Sequence, residues 1–285
     1  MTGPEGERML EVRHAVSPQE SARFTSQERR AAFLIDDLFG ASEVRLVYSH
    51  EDRMIAGGAS PEPGQPLALG CPAQLRSATF CERREVGIVN VGGPGRVRAG
   101  HESYPLGPYD CLYAGKGIGP IVFDSDGKDR ARFYLVSTPA HARYPTTIIR
   151  EGEVAGEDLG GPGSASVRTL RKYIHAAGVR SCELVMGLTK IAAGSVWNTM
   201  PPHTHERRTE IYLYCDVPDG ARVVHLMGEP HEVRALVVAD GQAVIAPSWS
   251  VHCGAGTSAY TFVWAMGGEN QAFDDMDAVS ISDLR

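Results

Sequence analysis

Met200-Pro201-Pro202-His203-Thr204-His205-Glu206-Arg207-Arg208-Thr209-Glu210, followed by Gly241-Gln242-Ala243-Val244-Ile245-Ala246-Pro247-Ser248-Trp249-Ser250-Val251-His252, brings three imidazoles and a carboxylate into the order and spacing of a metal site. Two prolines before His203 argue against a helix. In an extended segment side chains at i and i+2 share a face, so His203 and His205 converge and Glu206 points away. Glu210 opens the apolar run Ile211-Tyr212-Leu213-Tyr214, from which a neighbouring strand can return its carboxylate to the same centre. The expected ligands are therefore His203, His205, Glu210 and His252, the last carried on a hairpin announced by a glycine turn, a short apolar strand and a proline. Three neutral imidazoles and one carboxylate suit zinc, iron, manganese, nickel or copper and not the all-oxygen shells of magnesium or calcium. The pattern points to a metalloenzyme.

The chain has 285 residues, 42% hydrophobic and 22% charged, enough for one large core or two of roughly 120 to 140 residues each, and two fit better. A net charge of −7 gives no electrostatic case for nucleic acid or an anionic membrane. No apolar run approaches the ~20 residues that span a bilayer, and Met1-Thr2-Gly3-Pro4-Glu5-Gly6-Glu7-Arg8 is not followed by the apolar core of a signal peptide, so a cytoplasmic protein is expected. Six cysteines, at 71, 81, 111, 182, 215 and 253, form no Cys-x-x-Cys pair and read as small buried hydrophobes. Cys253 is singled out because it follows a proposed ligand.

Ser17-Pro18-Gln19-Glu20 has the form of a capping box, and Ser26 is expected to cap a second helix whose apolar face is Ala31, Leu34, Ile35 and Leu38. From Val44 the pattern becomes short β-rich runs at 44–48, 86–91, 111–114, 121–123 and 133–136, divided by glycine and proline turns. Residues 151–166 are acidic, glycine-rich and aperiodic, and are expected to link two domains. Further strands are expected at 182–188, 211–214, 223–227, 235–238, 243–245 and 261–266. The expected organisation is residues 1–150, short helices and a metal-free barrel, and residues 167–285, a metal-binding barrel. A weak internal repeat relates Glu82-Arg83-Arg84-Glu85 to the segment before Glu210, laying Glu85 on Glu210 and Pro120 on His252. The first half would keep the architecture without the ligands.

Gly194, His203-x-His205-x4-Glu210 and Gly241-x5-Pro247-x-Trp249-x2-His252 resemble the two motifs of the cupin superfamily, whose double-stranded β-helix (jelly-roll) barrels hold a metal between them. The gap after Gly194 is long, and tryptophan stands at 249 where many cupins have glycine. A closer resemblance runs through Trp197 to Arg208, Pro247-Ser248-Trp249-Ser250-Val251-His252, the tail Gly268 to Asp277, and in the first half Val47-Tyr48-Ser49-His50, Leu112-Tyr113-Ala114-Gly115-Lys116-Gly117 and Pro139-Ala140-His141-Ala142-Arg143-Tyr144-Pro145. On these residues the chain resembles the bacterial 4-deoxy-L-threo-5-hexosulose-uronate ketol-isomerases, also called 5-keto-4-deoxyuronate isomerases. That resemblance implies a mostly β bicupin with two jelly-roll barrels and one zinc per subunit. It also implies a homohexamer acting in the cytoplasmic breakdown of pectin-derived uronates. The family's metal ligands fall on the same four residues.

The implied reaction converts 5-dehydro-4-deoxy-D-glucuronate to 3-deoxy-D-glycero-2,5-hexodiulosonate by removing the C2 proton, passing through an enediol and reprotonating C1. A general base near neutrality is needed, and Glu206, His225 and Glu269 are its candidates. The substrate carboxylate calls for Lys172 or Arg208, and Trp249 or Trp197 for a pocket wall. Each also reads as an ordinary surface or core residue. Two rival functions share these ligands. One is a cupin dioxygenase, and the other is a non-catalytic sugar-binding bicupin, a sensor or storage-type protein; against a sensor stands the lack of any nucleic-acid-binding motif.

Overall fold

The computed structural model describes residues 10–40, 43–269 and 271–285; the Met1–Arg8 segment considered for targeting lies outside them. The chain is mostly β, as expected. Among the described residues, a seven-stranded sheet runs in the order Glu11–Arg13, Val44–Ser49, Ile55–Ala59, Phe133–Pro139, Arg84–Asn90, Cys111–Ala114, Thr147–Ile149. It packs on a four-stranded sheet of Leu67–Ala68, Ile121–Ser125, Gly95–Ala99 and Glu102–Leu106, enclosing Val86, Ile88, Val97, Phe123 and Phe133.

The second half repeats the plan. Its seven-stranded sheet runs Glu157–Leu159, Arg168–Ile174, Val185–Ile191, Thr261–Gly268, Arg208–Cys215, Ala243–Ala246, Leu34–Ile35, over a four-stranded sheet of Trp197–Asn198, Val251–Gly256, Val223–Gly228 and Arg234–Val238. The core between them is aromatic: Tyr212, Tyr214, Tyr260, Phe262 and Trp264. The sheets are hydrogen-bonded separately, so neither half closes a continuous barrel.

A third core lies where the two large sheets meet, with Val89, Tyr134 and Val136 from one side and Ile174, Met186, Ile211 and Val263 from the other. Each such aliphatic side chain is worth about 1.5–3 kcal/mol when fully buried. The sheets approach so closely at Gly87 that a Cβ there would stand 2.6 Å from Met186 Sδ. Only glycine fits.

Several local expectations change. Ser17 and Glu20 form the expected capping box on Pro18–Ser21, but the cap of the second helix is Thr25, reciprocally bonded to Glu28, and Ser26 is the first helical residue. That helix ends at Phe33. Leu34 and Ile35, expected on its apolar face, are a strand paired with Val244 and Ala243. An unpaired edge of the second sheet offers backbone hydrogen bonds that outweigh a weak helix preference. The N-terminal segment thus completes a sheet of the second half.

The stretch 151–166, expected as a linker, contains the strand Glu157–Leu159, paired with Arg168–Leu170. The strand expected at 182–188 starts at Val185, because the amides of Cys182, Glu183 and Leu184 are used elsewhere. They bind the Glu85 carboxylate at 2.7, 2.9 and 3.0 Å, and Tyr113 and Thr138 add their hydroxyls.

This corrects the internal repeat by one residue. Val86 pairs with Ala114 as Glu210 pairs with Ala246, and both lie on the inner face of their halves, whereas Glu85 faces the junction. A one-residue slip exchanges the faces of a strand. Val86 therefore occupies the position equivalent to Glu210, and the first half has an apolar side chain where the second has a carboxylate.

Candidate metal centre

Four side chains from three parts of the second half meet at one point. Glu210 begins the inner face of the central strand Arg208–Cys215, and His252 lies on Val251–Gly256 of the opposing sheet. His203 and His205 come from the segment between sheets. There the extended stretch is only His203–Thr204, paired with Asp277–Ala278, and a turn follows.

Glu210 Oε2 lies 2.9 Å from His252 Nε2 and 3.2 Å from His205 Nε2. His203 Nε2 is 3.1 Å from Nε2 of both other histidines. All four donor atoms lie within 4.8 Å of one another. The cluster sits in the aromatic interior, with His205, Glu210 and His252 buried.

The proton positions follow from the outer partners. His205 Nδ1 is 2.8 Å from the carbonyl oxygen of Asp275, and His252 Nδ1 is 3.2 Å from that of Ser250. A carbonyl only accepts, so each Nδ1 donates, and each ring in its neutral form turns the lone pair of Nε2 toward the Glu210 carboxylate. Lone pairs directed at a carboxylate repel it unless a cation lies between them. The donor set therefore fits a transition-metal ion, and this buried group can hold one. Burial, before anything else, pushes the His203 imidazole down to about 2, so it stays neutral.

A cavity of about 360 Å³ opens onto this cluster. Tyr212, Phe262, Trp264 and Met266 form its apolar wall, Glu157, Leu159, Arg168 and Leu170 a second side, and Phe273, Asp274, Met276 and Ala278 of the C-terminal tail a third. The presumed linker thus supplies cavity wall. Tyr212 bonds Thr199 at 3.0 Å through its hydroxyl, which burial keeps protonated by raising its pKa well above 10. Thr199 holds φ of 50°, a strained value for a β-branched residue, in the segment that also lines the cavity.

The other expected residues are placed differently. Glu206 and Glu269 are exposed and outside the cavity lining. His225 is fully buried, its Nδ1 2.7 Å from the Tyr214 hydroxyl, and it too is absent from the lining. Burial pushes it down to about 3. Arg208 is buried, and its guanidinium donates to the carbonyls of Ala272, Phe273 and Asp275 at 2.6, 3.3 and 2.9 Å. It holds the tail. Lys172 sits at the rim, 3.3 Å from Glu157 and over the Phe273 ring. Trp249 faces the N-terminal helices, donating to Val16 and packing edge-on against Phe33, and Trp197 is likewise outside the lining.

Sequence reasoning missed Arg168 and Tyr212. Both were within reach of simple alternation. Tyr212 is two residues beyond Glu210 on the same strand face, and Arg168 and Leu170 share the cavity-facing side of Arg168–Ile174.

The fold and site define a β-sandwich protein with a buried three-histidine, one-glutamate group able to hold a metal. The chain belongs to the KduI/IolB family, whose model matches residues 63–281. It is 50% identical over 280 residues to the 4-deoxy-L-threo-5-hexosulose-uronate ketol-isomerase of Kineococcus radiotolerans, covering 97% of this chain and all of that one. The enzyme of the same name from Opitutus terrae is 49% identical over 277 residues, again covering 97% and 100%. Among solved structures, an IolB-like protein from Salmonella typhimurium LT2 superposes with a TM-score of 0.70 at 14% identity, covering 87% of this chain and 96% of that one, a likeness of fold. The family expected from the motifs is the family found. No helix among the described residues is long and apolar enough to cross a membrane.

Proposed function

We propose that the chain is a 4-deoxy-L-threo-5-hexosulose-uronate ketol-isomerase, converting 5-dehydro-4-deoxy-D-glucuronate to 3-deoxy-D-glycero-2,5-hexodiulosonate. The carrying observation is the end-to-end similarity to enzymes of that name together with a cavity opening on the four-residue cluster. We read the two halves as two cupin domains, 1–150 and 167–285 joined by 151–166, with Leu34–Ile35 of the first and Glu157–Leu159 of the joining stretch added to the second's sheet, and with one ion in the second. His203, His205, Glu210 and His252 would hold that ion, zinc in this reading, and it would supply Lewis acidity for the negative charge that develops on substrate oxygen.

The remaining work belongs to the chain. Tyr212, kept protonated by burial, donates from the cavity wall to a substrate oxygen. The C2 proton is assigned to one of the two carboxylates that line the cavity outside the cluster, Glu157 or Asp274. Phe262, Trp264, Met266 and Phe273 exclude water from an intermediate that would otherwise lose its proton to solvent. A hexamer in the cytoplasm, with a small sugar acid as its only partner, follows from the resemblance of the motifs.

The test is an anaerobic assay on the 4-deoxy-5-keto uronate. Carbonyl migration without oxygen uptake is the expected result. Strict oxygen dependence or a cleaved carbon bond would put the dioxygenase in its place, and saturable binding without product would favour the sugar-binding bicupin.

A further inference from the structure

We infer that Arg168 holds the carboxylate of the sugar acid and so makes the site select uronates over neutral sugars, an inference that rests on the function proposed above. Two other cations beside the cavity have acidic neighbours. Arg208, bonded to three tail carbonyls, has the carboxylates of Glu210 and Asp275 acting on it, and Lys172 is held by Glu157 and the face of Phe273. Among the described residues Arg168 is the one arginine or lysine that lines the cavity, and it does so on the wall beside Leu159 and Leu170.

Its guanidinium is fixed without being neutralised. Nη1 donates to the carbonyl of Ser166 at 2.9 Å and Nη2 to that of Met200 at 3.3 Å, which takes two of its five N–H groups. Both partners are backbone, so they orient the fork and leave the positive charge uncompensated. The groups acting on Arg168 are burial, which lowers its pKa, and Tyr212 and Tyr260, with no carboxylate among them. A half-buried arginine with fixed orientation and no acidic partner is arranged for an anion that arrives with a ligand, and its planar fork matches a carboxylate bidentately. Met200 belongs to the same segment as Thr199 and His203, so anchoring the far end of the substrate there sets its reach toward the cluster.

The experiment uses full-length, metal-loaded protein in three forms, wild type, Arg168→Lys and Arg168→Met. Calorimetric binding of D-glucuronate and of D-glucose is measured alongside steady-state kinetics on the 4-deoxy-5-keto uronate, with metal content determined on each sample. The expected result is a preference for glucuronate over glucose in wild type, reduced roughly ten- to a hundredfold in Arg168→Met, partly restored in Arg168→Lys, with a matching rise in KM and unchanged metal content. A merely structural Arg168 would weaken both sugars equally. Isomerisation by wild type with an Arg168→Met variant that keeps its KM and its preference would overturn this proposal while sparing the functional one. A wild type that binds glucuronate through Arg168 without isomerising the substrate would do the reverse. If Arg168→Met does not fold, the lysine variant decides: the preference must fall by at least severalfold, because a lysine cannot bond both carboxylate oxygens in one plane.

Discussion

The carbonyl oxygen of Asp275 lies 2.8 Å from Nδ1 of His205, and Arg208 Nη2 donates to that same oxygen at 2.9 Å. The C-terminal tail thereby decides which nitrogen of His205 bears the proton, and Arg208 decides where the tail lies. Arg208→Met should lose roughly 2–4 kcal/mol of stability, since three carbonyls lose a charged donor, and should lower metal occupancy. Thermal denaturation and elemental analysis read both. Full metal content in a folded variant would separate the tail from His205.

One transition-metal ion per chain is expected, because the first half has Val86 at the position equivalent to Glu210. Glu210→Gln should weaken metal binding by tenfold or more, while Glu206→Gln should leave it in place, as should any change confined to that exposed side chain. Equal losses in the two variants, or two ions per wild-type chain, would contradict this assignment.

His225 titrates at about 3 in the folded chain against an ordinary 6.5. Between those values the unfolded chain binds a proton that the folded chain refuses, so the stability due to this group is complete above pH 6.5 and declines as pH falls. From pH 6.5 to 5 the decline is about 2 kcal/mol, taking 1.36 kcal/mol per pH unit. Urea denaturation of metal-free protein at pH 7 and pH 5 should show a smaller difference in His225→Asn than in wild type. An identical difference would mean the histidine is charged when buried.

If one cavity carboxylate takes the C2 proton, either Glu157→Gln or Asp274→Asn should reduce kcat by a hundredfold or more with metal content intact. Solvent deuterium incorporation at C1 gives a second readout. Two active variants would send the search for the base elsewhere.

Burial pushes the thiols of Cys81 and Cys253 up to about 12, and Cys111 and Cys215 are likewise buried. Alkylation of native protein at neutral pH should reach only Cys71 and Cys182, which are partly accessible. Labelling at Cys253 would show that the strand carrying His252 opens in solution.

Much of this molecule was legible in its sequence. Alternating strands, a Ser17 cap and the His-x-His, Glu and His donor set follow from local periodicity and from the chemistry of side chains a few residues apart. The rest depends on contacts that periodicity does not encode. Leu34 and Ile35 read as helix because only the distant strand Ala243–Ala246 offers them a ladder, and Glu85 reads as a lost ligand because nothing near it announces the amides of Cys182–Leu184. Arg208 resembles a substrate cation until the tail folds back upon it. The donors of the candidate metal centre were determined by sequence alone, since their identity and spacing limit what they can bind. Which cation faces the cavity, which nitrogen of His205 is free and which face Glu85 presents were decided by tertiary structure, because each turns on backbone carbonyls or amides brought together from far along the chain.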